Sequence, residues 1–387
     1  MNHGNAQSEA ADAPLRVMIV ISGLGFGGAE RQVLELANNA DPAALDLHIC
    51  SLSGNVPLAA QLHDDSRLHI IEKRGRYDLT VVPRLMRLLR RQHTQLVHGF
   101  LFDAEIAAAL AGRLAGVRAV VGSERNTAYT FSRVQRLAYR LTRRCFDRIV
   151  ANSNAGAEFN RRALGFPADH YRVVRNGVDT ARFHPGDGAA TRAALGVAPS
   201  QPLIGMFASL KEQKNHPLLL NAARLVLQRH PDAQFMFVGD SLAGNWQGSN
   251  AYAQQVRALV DTLGIAASCR FLGNRNDLPE LYAACDLSVL PSRYEGTPNT
   301  VLESMACGCP VVVTDVSDNA QIAPDGQVGR VVPSGDVPAL AAAILELLGD
   351  ATRRAQYGRQ ARAWAEQQFS LRALSNNMLA VYRELLA

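Results

Sequence analysis

The chain has 387 residues, a length that predicts two or three domains and excludes a lone small binding module. Apolar residues make up 48% and charged residues 19%, which supplies sizeable cores and excludes a disordered, charge-rich chain. The formal net charge of +5 is unevenly spread: Lys73 to Arg148 holds sixteen Lys and Arg against five Asp and Glu, leaving +11 there and −6 on the remainder. An anionic partner is therefore expected at the first half.

Met1 to Ala13 is polar and carries no Lys or Arg, so it resembles neither a signal nor a transit peptide and reads as a disordered tail over 1–13. Short β-branched runs then alternate with helical periodicity, the pattern of βαβ units and a parallel sheet. Strands are predicted at Val17 to Ile21, Leu45 to Leu52, Leu68 to Ile71, Leu96 to Gly99, Ala119 to Gly122, Ile149 to Ala151 and Arg172 to Val174. Helical patterns between them include Glu30 to Ala40, Leu79 to Arg91, Glu105 to Leu114 and Val134 to Phe146.

A Pro/Gly/Ala-rich stretch, Pro185 to Pro202, interrupts the pattern except for a short helix near Thr191 to Leu195, and a linker over 186–201 is placed there. A second series follows, with strands at Leu203 to Ala208, Gln234 to Val238, Arg270 to Leu272, Leu287 to Leu290, Val311 to Thr314 and Arg330 to Val332. Helices at Val337 to Leu348, Thr352 to Gln368 and Leu371 to Leu386 close the chain. The fold class is α/β, with doubly wound parallel-sheet, Rossmann-like domains over 14–185 and 202–369 expected to face each other across a cleft, the default ligand site. Residues 370–387 form a terminal helix that is able to cross back to the first domain.

No apolar run approaches the roughly 18 to 20 residues a membrane-spanning helix needs. The six cysteines are scattered, without a C-x-x-C pair or a neighbouring His cluster, so no zinc site is predicted and a reduced, cytoplasmic setting is expected.

Gly23, Gly25 and Gly28 after the first strand match G-x-G-x-x-G by spacing. A dinucleotide site would also need an acid ending the second strand, and that strand ends Ile-Cys-Ser-Leu-Ser. A flexible turn is one alternative. The other is that the bare amides of Gly25, Gly27 and Gly28, ahead of the Glu30 helix, approach a phosphate or an acceptor.

The stretch Ser292 to Pro310 follows a strand and opens a helix near Pro298. A helix N-terminus at the C-terminal edge of a parallel sheet offers free amides and a positive dipole to a diphosphate, here through Gly296, Thr297, Asn299 and Thr300. Glu295 precedes the helix and Glu303 lies inside it; their carboxylates suit sugar and ribose hydroxyls, unless Glu295 is only a dipole partner and Glu303 a solvated residue. Gly122-Ser123-Glu124-Arg125-Asn126 clusters polar groups at the first sheet's edge, where Arg125 either faces an acceptor phosphate or pairs with Glu124.

Two glutamates with seven residues between them in E-G-x-x-x-x-x-x-E, followed by Met305-Ala306-Cys307-Gly308-Cys309-Pro310, resemble the signature of retaining glycosyltransferases of family 4 with the GT-B fold. Gly27-Gly28-Ala29-Glu30, His98, Asn176-Gly177-Val178-Asp179, Lys214, Phe237-Val238-Gly239-Asp240, Phe271-Leu272-Gly273 and Gly329 to Pro333 agree in order. The resemblance implies a nucleotide-sugar donor, UDP-linked by family habit, in the second domain and a glycan or lipid-linked acceptor in the first. It implies that Glu303 holds ribose, that Glu295 holds the donor sugar, that Lys214 neutralises the departing diphosphate and that His98 faces the sugar. No cofactor and no metal are expected, since no Asp-x-Asp follows a strand in a plausible site.

Two departures stand out. Ser209 occupies the place, five before Lys214, where the family often has Arg, and Lys211 and Arg293 are the neighbouring cations able to replace it. His98-Gly99-Phe100 keeps only the first histidine of the family's His-x-His, and a satisfied interior histidine is the alternative for it.

Arginines at 84, 87, 90 and 91 and at 133, 136, 140, 143 and 144 align on helices beside leucines, a face suited to an anionic membrane surface unless it is simply solvated. Nucleic acid is not expected, for want of a module or interleaved aromatics. A peripheral position at the inner face of the cytoplasmic membrane would follow. The competing readings are a nucleotide-sugar-binding epimerase of similar shape and, more distantly, a dinucleotide-dependent oxidoreductase.

Overall fold

The computed structural model describes residues 13–25, 27–75, 78–125, 131–240 and 249–387. Residues 1–12 of the expected tail, Phe26 and Asn126 lie outside the described residues. Two compact units appear: one takes the chain up to Gly177 together with Leu371–Ala387, the other Val178–Ser370.

The first unit holds β1 (Leu15–Ile21), α1 (Gly28–Asn39), β2 (Leu45–Ser51), β3 (Leu68–Ile70), α2 (Val81–Arg91), β4 (Leu96–Phe100), α3 (Phe102–Ala115), β5 (Ala119–Glu124), α4 (Arg133–Thr142), β6 (Arg148–Ala151), α5 (Asn154–Leu164) and β7 (Tyr171–Val173). The seven strands form one sheet in the order β3-β2-β1-β4-β5-β6-β7, every pairing parallel. Side chains alternate across it: Val17, Ile19 and Ile21 enter the core on one face, Met18 and Val20 the core on the other. Both faces are covered, which is why these strands read as unbroken apolar runs.

The second unit holds α6 (Ala189–Ala194), β8 (Leu203–Phe207), α7 (His216–Leu227), β9 (Gln234–Val238), α8 (Ser249–Leu263), β10 (Cys269–Gly273), α9 (Leu278–Ala284), β11 (Leu287–Leu290), α10 (Asn299–Ala306), β12 (Val311–Thr314), α11 (Asn319–Ile322), β13 (Gly329–Val332), α12 (Val337–Gly349) and α13 (Ala351–Gln368). Its parallel sheet runs β10-β9-β8-β11-β12-β13. Gly239, after β9, is needed as glycine: its φ is +128°, and a Cβ would stand 2.3 Å from the Ala208 carbonyl oxygen.

The final helix, α14 (Leu371–Leu386), belongs to the first unit. Leu371, Leu374, Met378, Val381, Tyr382 and Leu386 recur at helical spacing and are buried in the same core as Val17 and Ile19. Residues 178–201, read as domain end and linker, pack instead with the second unit. Phe183 lies in its core, Arg362 donates to the carbonyls of Thr180, Phe183 and Ala306, and Arg192 is paired with Asp286 at 2.7 Å. A Pro/Gly-rich composition signals irregular backbone but does not say which core that backbone covers.

Candidate active site

In the second sheet the chain leaves β8 toward β9 and β10 on one side, while β11, β12 and β13 lie on the other, so the loops after β8 and β11 diverge at a topological switch point. Lys214 ends a 3₁₀ turn, Glu212–Lys214, on the first of these loops, and Glu295 lies on the second. They meet: Lys214 Nζ is 2.5 Å from Glu295 Oε1, with both side chains largely buried. Ser292 Oγ donates to the same oxygen at 2.6 Å, and the Glu295 amide donates to Ser317 Oγ at 3.1 Å. Gln213 Nε2 donates to the Tyr294 carbonyl at 2.9 Å, binding the two loops together.

The loop is itself anchored. Thr314 Oγ1, at the end of β12, donates to the Ser292 carbonyl at 2.6 Å, and Asn319 Nδ2 donates to the Thr314 carbonyl at 3.0 Å. Gly296 and Thr297 are buried, and Asn299 and Thr300 half-buried, at the entry of α10. Glu303 is buried in that helix, its Oε2 accepting from the Tyr282 hydroxyl at 3.1 Å, while the same hydroxyl reaches the Thr300 carbonyl. Burial, followed by the Glu303 charge, pushes the Tyr282 phenol well above its ordinary value, so it stays a donor. The solvated-residue alternative for Glu303 is thereby removed.

This arrangement offers one cation, two buried carboxylates and a helix entry around one sheet edge. It can neutralise a diphosphate with Lys214 and α10 amides while carboxylates accept from hydroxyls. Ser209 is half-buried after β8, Lys211 starts the turn that ends in Lys214, and Arg293 is exposed beside Glu295. Ser292, Gln213, Tyr282 and Ser317 escaped the sequence reading; only Ser292, three residues before Glu295, carried a local signal.

The first unit holds two further candidates, His98 and Arg125. His98 on β4 is completely buried, its Nδ1 2.8 Å from the Tyr382 hydroxyl of α14 and its Nε2 2.9 Å from Ser123 Oγ. Burial, with the Arg125 charge adding to it, holds its pKa down to about 3. With both ring nitrogens engaged inside the unit, His98 fits the alternative of a satisfied interior histidine. Arg125 is half-buried: its Nη2 donates to Asn176 Oδ1 at 2.6 Å, and its guanidinium lies 5.4 Å from the centre of the Phe100 ring. Burial lowers its pKa to about 10 against the opposing pull of Glu124.

At the end of β1, Gly25 has open space where a Cβ would be, whereas the Glu30 carboxylate occupies that position at Gly27, just ahead of α1. The bare backbone at Gly25 thus remains accessible. Nearby, Ser22, Ser53, Glu72, Lys73 and Asp103 help line a pocket of about 290 Å³. Lys73 Nζ is 2.5 Å from Asp103 Oδ2 there, a pairing the sequence did not suggest. Among the described residues, no group of three or more His, Cys, Asp or Glu is placed to hold a metal ion, and no helix is long and apolar enough to cross a membrane.

Comparison with known proteins agrees with this division. The model of "Glycosyl transferases group 1" matches residues 188–364, and that of "Glycosyltransferase Family 4" matches residues 26–182. The chain belongs to the group 1 glycosyltransferases. It is 30% identical over 247 residues to the lipopolysaccharide core biosynthesis mannosyltransferase LpsB of Rhizobium meliloti, covering 63% of this chain and 67% of that protein. It is 27% identical to the UDP-Gal:alpha-D-GlcNAc-diphosphoundecaprenol alpha-1,3-galactosyltransferase of Escherichia coli, over 78% of this chain and 79% of the relative. Across curated relatives the chain spans from about half to four fifths of their length. In structure it resembles Anabaena Alr3699/HepE, solved in complex with UDP, with a TM-score of 0.84 at 22% identity, over 96% of this chain and 100% of that one. The fold of this glycosyltransferase is thus GT-B, and the epimerase and oxidoreductase readings are not favoured.

Proposed function

We propose that this glycosyltransferase moves a sugar from a UDP-sugar to a glycan acceptor carried on lipid, with retention of configuration and without a metal ion, in cell-surface polysaccharide or glycolipid synthesis. The observation that carries the reading is the Lys214–Glu295 pair at the switch point of the second sheet, beside the buried Glu303 of α10. Lys214 is the group that stabilises the departing diphosphate, replacing a cation that a metal would supply. Glu295 and the entry of α10, Gly296, Thr297, Asn299 and Thr300, hold sugar and phosphate; Glu303 holds the ribose. The nucleotide-sugar is a co-substrate and no further cofactor is invoked.

UDP is supported by the complex of HepE with UDP and by the UDP-Gal donor of the Escherichia coli galactosyltransferase, and a lipid-linked acceptor by the diphosphoundecaprenol acceptor of the latter. In the first unit, the Gly25 to Gly28 backbone and the Lys73–Asp103 pocket are the acceptor-side candidates. The enzyme would work peripherally at the inner face of the cytoplasmic membrane.

Glu303→Ala is expected to weaken UDP binding by about 1 to 3 kcal/mol, the cost of losing hydrogen bonds in a desolvated site. Calorimetric titration of UDP into folded wild-type and variant proteins checks this. Superimposable isotherms would remove Glu303 from the donor site.

A further inference from the structure

We propose that α4 is an in-plane membrane helix that inserts an apolar stripe, Val134, Leu137 and Leu141, into an anionic bilayer interface. The proposal deepens the reading of a lipid-borne acceptor by naming the element that meets the lipid.

The helix turns its leucines outward. Val134, Leu137 and Leu141 are 60%, 57% and 73% exposed, whereas Tyr139 and Thr142 on the opposite side are buried. The three apolar residues stand at i, i+3 and i+7, so they form one continuous stripe. Arg133, Arg136 and Arg140 each immediately precede one of them, which sets a parallel arginine row about 100° around the helix. Arg143 and Arg144 extend that charge into the following 3₁₀ turn. All five arginines are exposed, none has a carboxylate partner among the described residues, and no Asp or Glu occurs from Phe131 to Phe146.

The helix is built before it docks. Ser132 and Gln135 form a reciprocal capping box at its start, and the Tyr139 hydroxyl donates to the buried Glu105 carboxylate on its inner side. Its outward face is therefore free to serve something other than the core.

Charge complementarity selects the occupant. A nucleic acid would neutralise the arginines but leave the stripe in water, and a second copy would oppose two arginine rows. An anionic bilayer satisfies both rows at once, with leucines at acyl depth and arginines at headgroup depth.

Co-sedimentation of the full chain with vesicles of phosphatidylcholine alone, or with 30 mol% phosphatidylglycerol, tests this. Wild type is expected to bind the anionic vesicles preferentially, and less strongly at 0.5 M than at 0.1 M NaCl. Arg136, Arg140, Arg143 and Arg144 all changed to Gln should lower affinity about 600-fold, given roughly fivefold per basic residue at such a surface. Leu137→Ser with Leu141→Ser should lower it about tenfold while the salt dependence persists, because apolar insertion is the separate contribution. Leu137→Trp should show a blue-shifted tryptophan emission only with anionic vesicles.

On the same variants an unchanged thermal unfolding profile shows both units folded, and an unchanged UDP titration separates the outcomes. Intact UDP binding with equal pelleting on both vesicles, or with no effect of the leucine changes, overturns the docking proposal alone; loss of UDP binding by wild type overturns the donor-site reading instead. A dimer dispersed by the leucine changes, or capture by acidic protein without vesicle binding, also overturns it.

Discussion

Lys214→Ala is expected to lower kcat about 100- to 1,000-fold while leaving acceptor KM nearly unchanged, because the ammonium acts where charge develops on the departing diphosphate. The change has a second consequence. Glu295 is nine-tenths or more buried, and removing its cation leaves the charge to neutral donors such as Ser292. Breaking a buried pair this way destabilises the fold as well. The double variant Lys214→Ala/Glu295→Gln separates the two effects: a neutral amide retains the Ser292 hydrogen bond and recovers stability, but supplies no positive charge. Turnover should therefore stay low while the unfolding midpoint returns toward wild type. Recovery of turnover in step with stability would mean that Lys214 is structural. Chelator is expected to leave the wild-type rate unchanged, and restoration of a chelated enzyme by magnesium or manganese would contradict the protein-borne charge.

The buried chain Tyr139–Glu105–Ser123–His98–Tyr382 makes the first unit sensitive to pH from both directions. Glu105 accepts from the Ser123 amide and from Tyr139, yet burial dominates and raises its pKa to about 7 from the ordinary 4.5. A raised acid contributes stability that is fully present below pH 4.5 and lost as pH rises through 7, about 3 kcal/mol over that window. His98 does the reverse. Its pKa falls from 6.5 to about 3, so its contribution is present above pH 6.5 and is lost as pH falls toward 3, by about 5 kcal/mol. Between pH 4.5 and 6.5 the two one-proton slopes oppose each other and largely cancel, so wild type should be nearly flat there under denaturant unfolding. Glu105→Gln, which still accepts from Ser123 and donates to Tyr139, should remove the Glu105 slope and leave stability rising with pH up to about 6.5. His98→Phe should strand the Ser123 and Tyr382 hydroxyls, costing about 2 to 4 kcal/mol at pH 7. Full stability with abolished turnover in that variant would return His98 to the reacting sugar.

The strands were legible because parallel sheets covered on both faces concentrate β-branched residues into short uninterrupted runs, as Val311–Thr314 does. The switch-point site was legible in part, since Glu295, Pro298 and Glu303 fall within one local motif. Their partners were not: Tyr282 reaches Glu303 from another helix, and Ser317 reaches the Glu295 amide from beyond the next strand. The surroundings of His98 were not legible either, because they are fixed by Tyr382, 284 residues away on a helix that closes the first core. On α4, hydrophobic pattern alone would bury Leu137 and Leu141. Tyr139 is inside instead, where the Glu105 carboxylate gives its hydroxyl an acceptor.

Sugar transfer from a UDP-linked donor should retain the anomeric configuration. Proton NMR of the enzyme turning over α-linked UDP-sugars, with lipid-linked glycan presented in anionic vesicles, follows donor loss and the anomeric signal of the new linkage together. UDP release accompanied by an α-linked product is expected. A β-linked product, or consumption of none of the UDP-sugars by a folded enzyme that turns over GDP- or ADP-sugars, would contradict it.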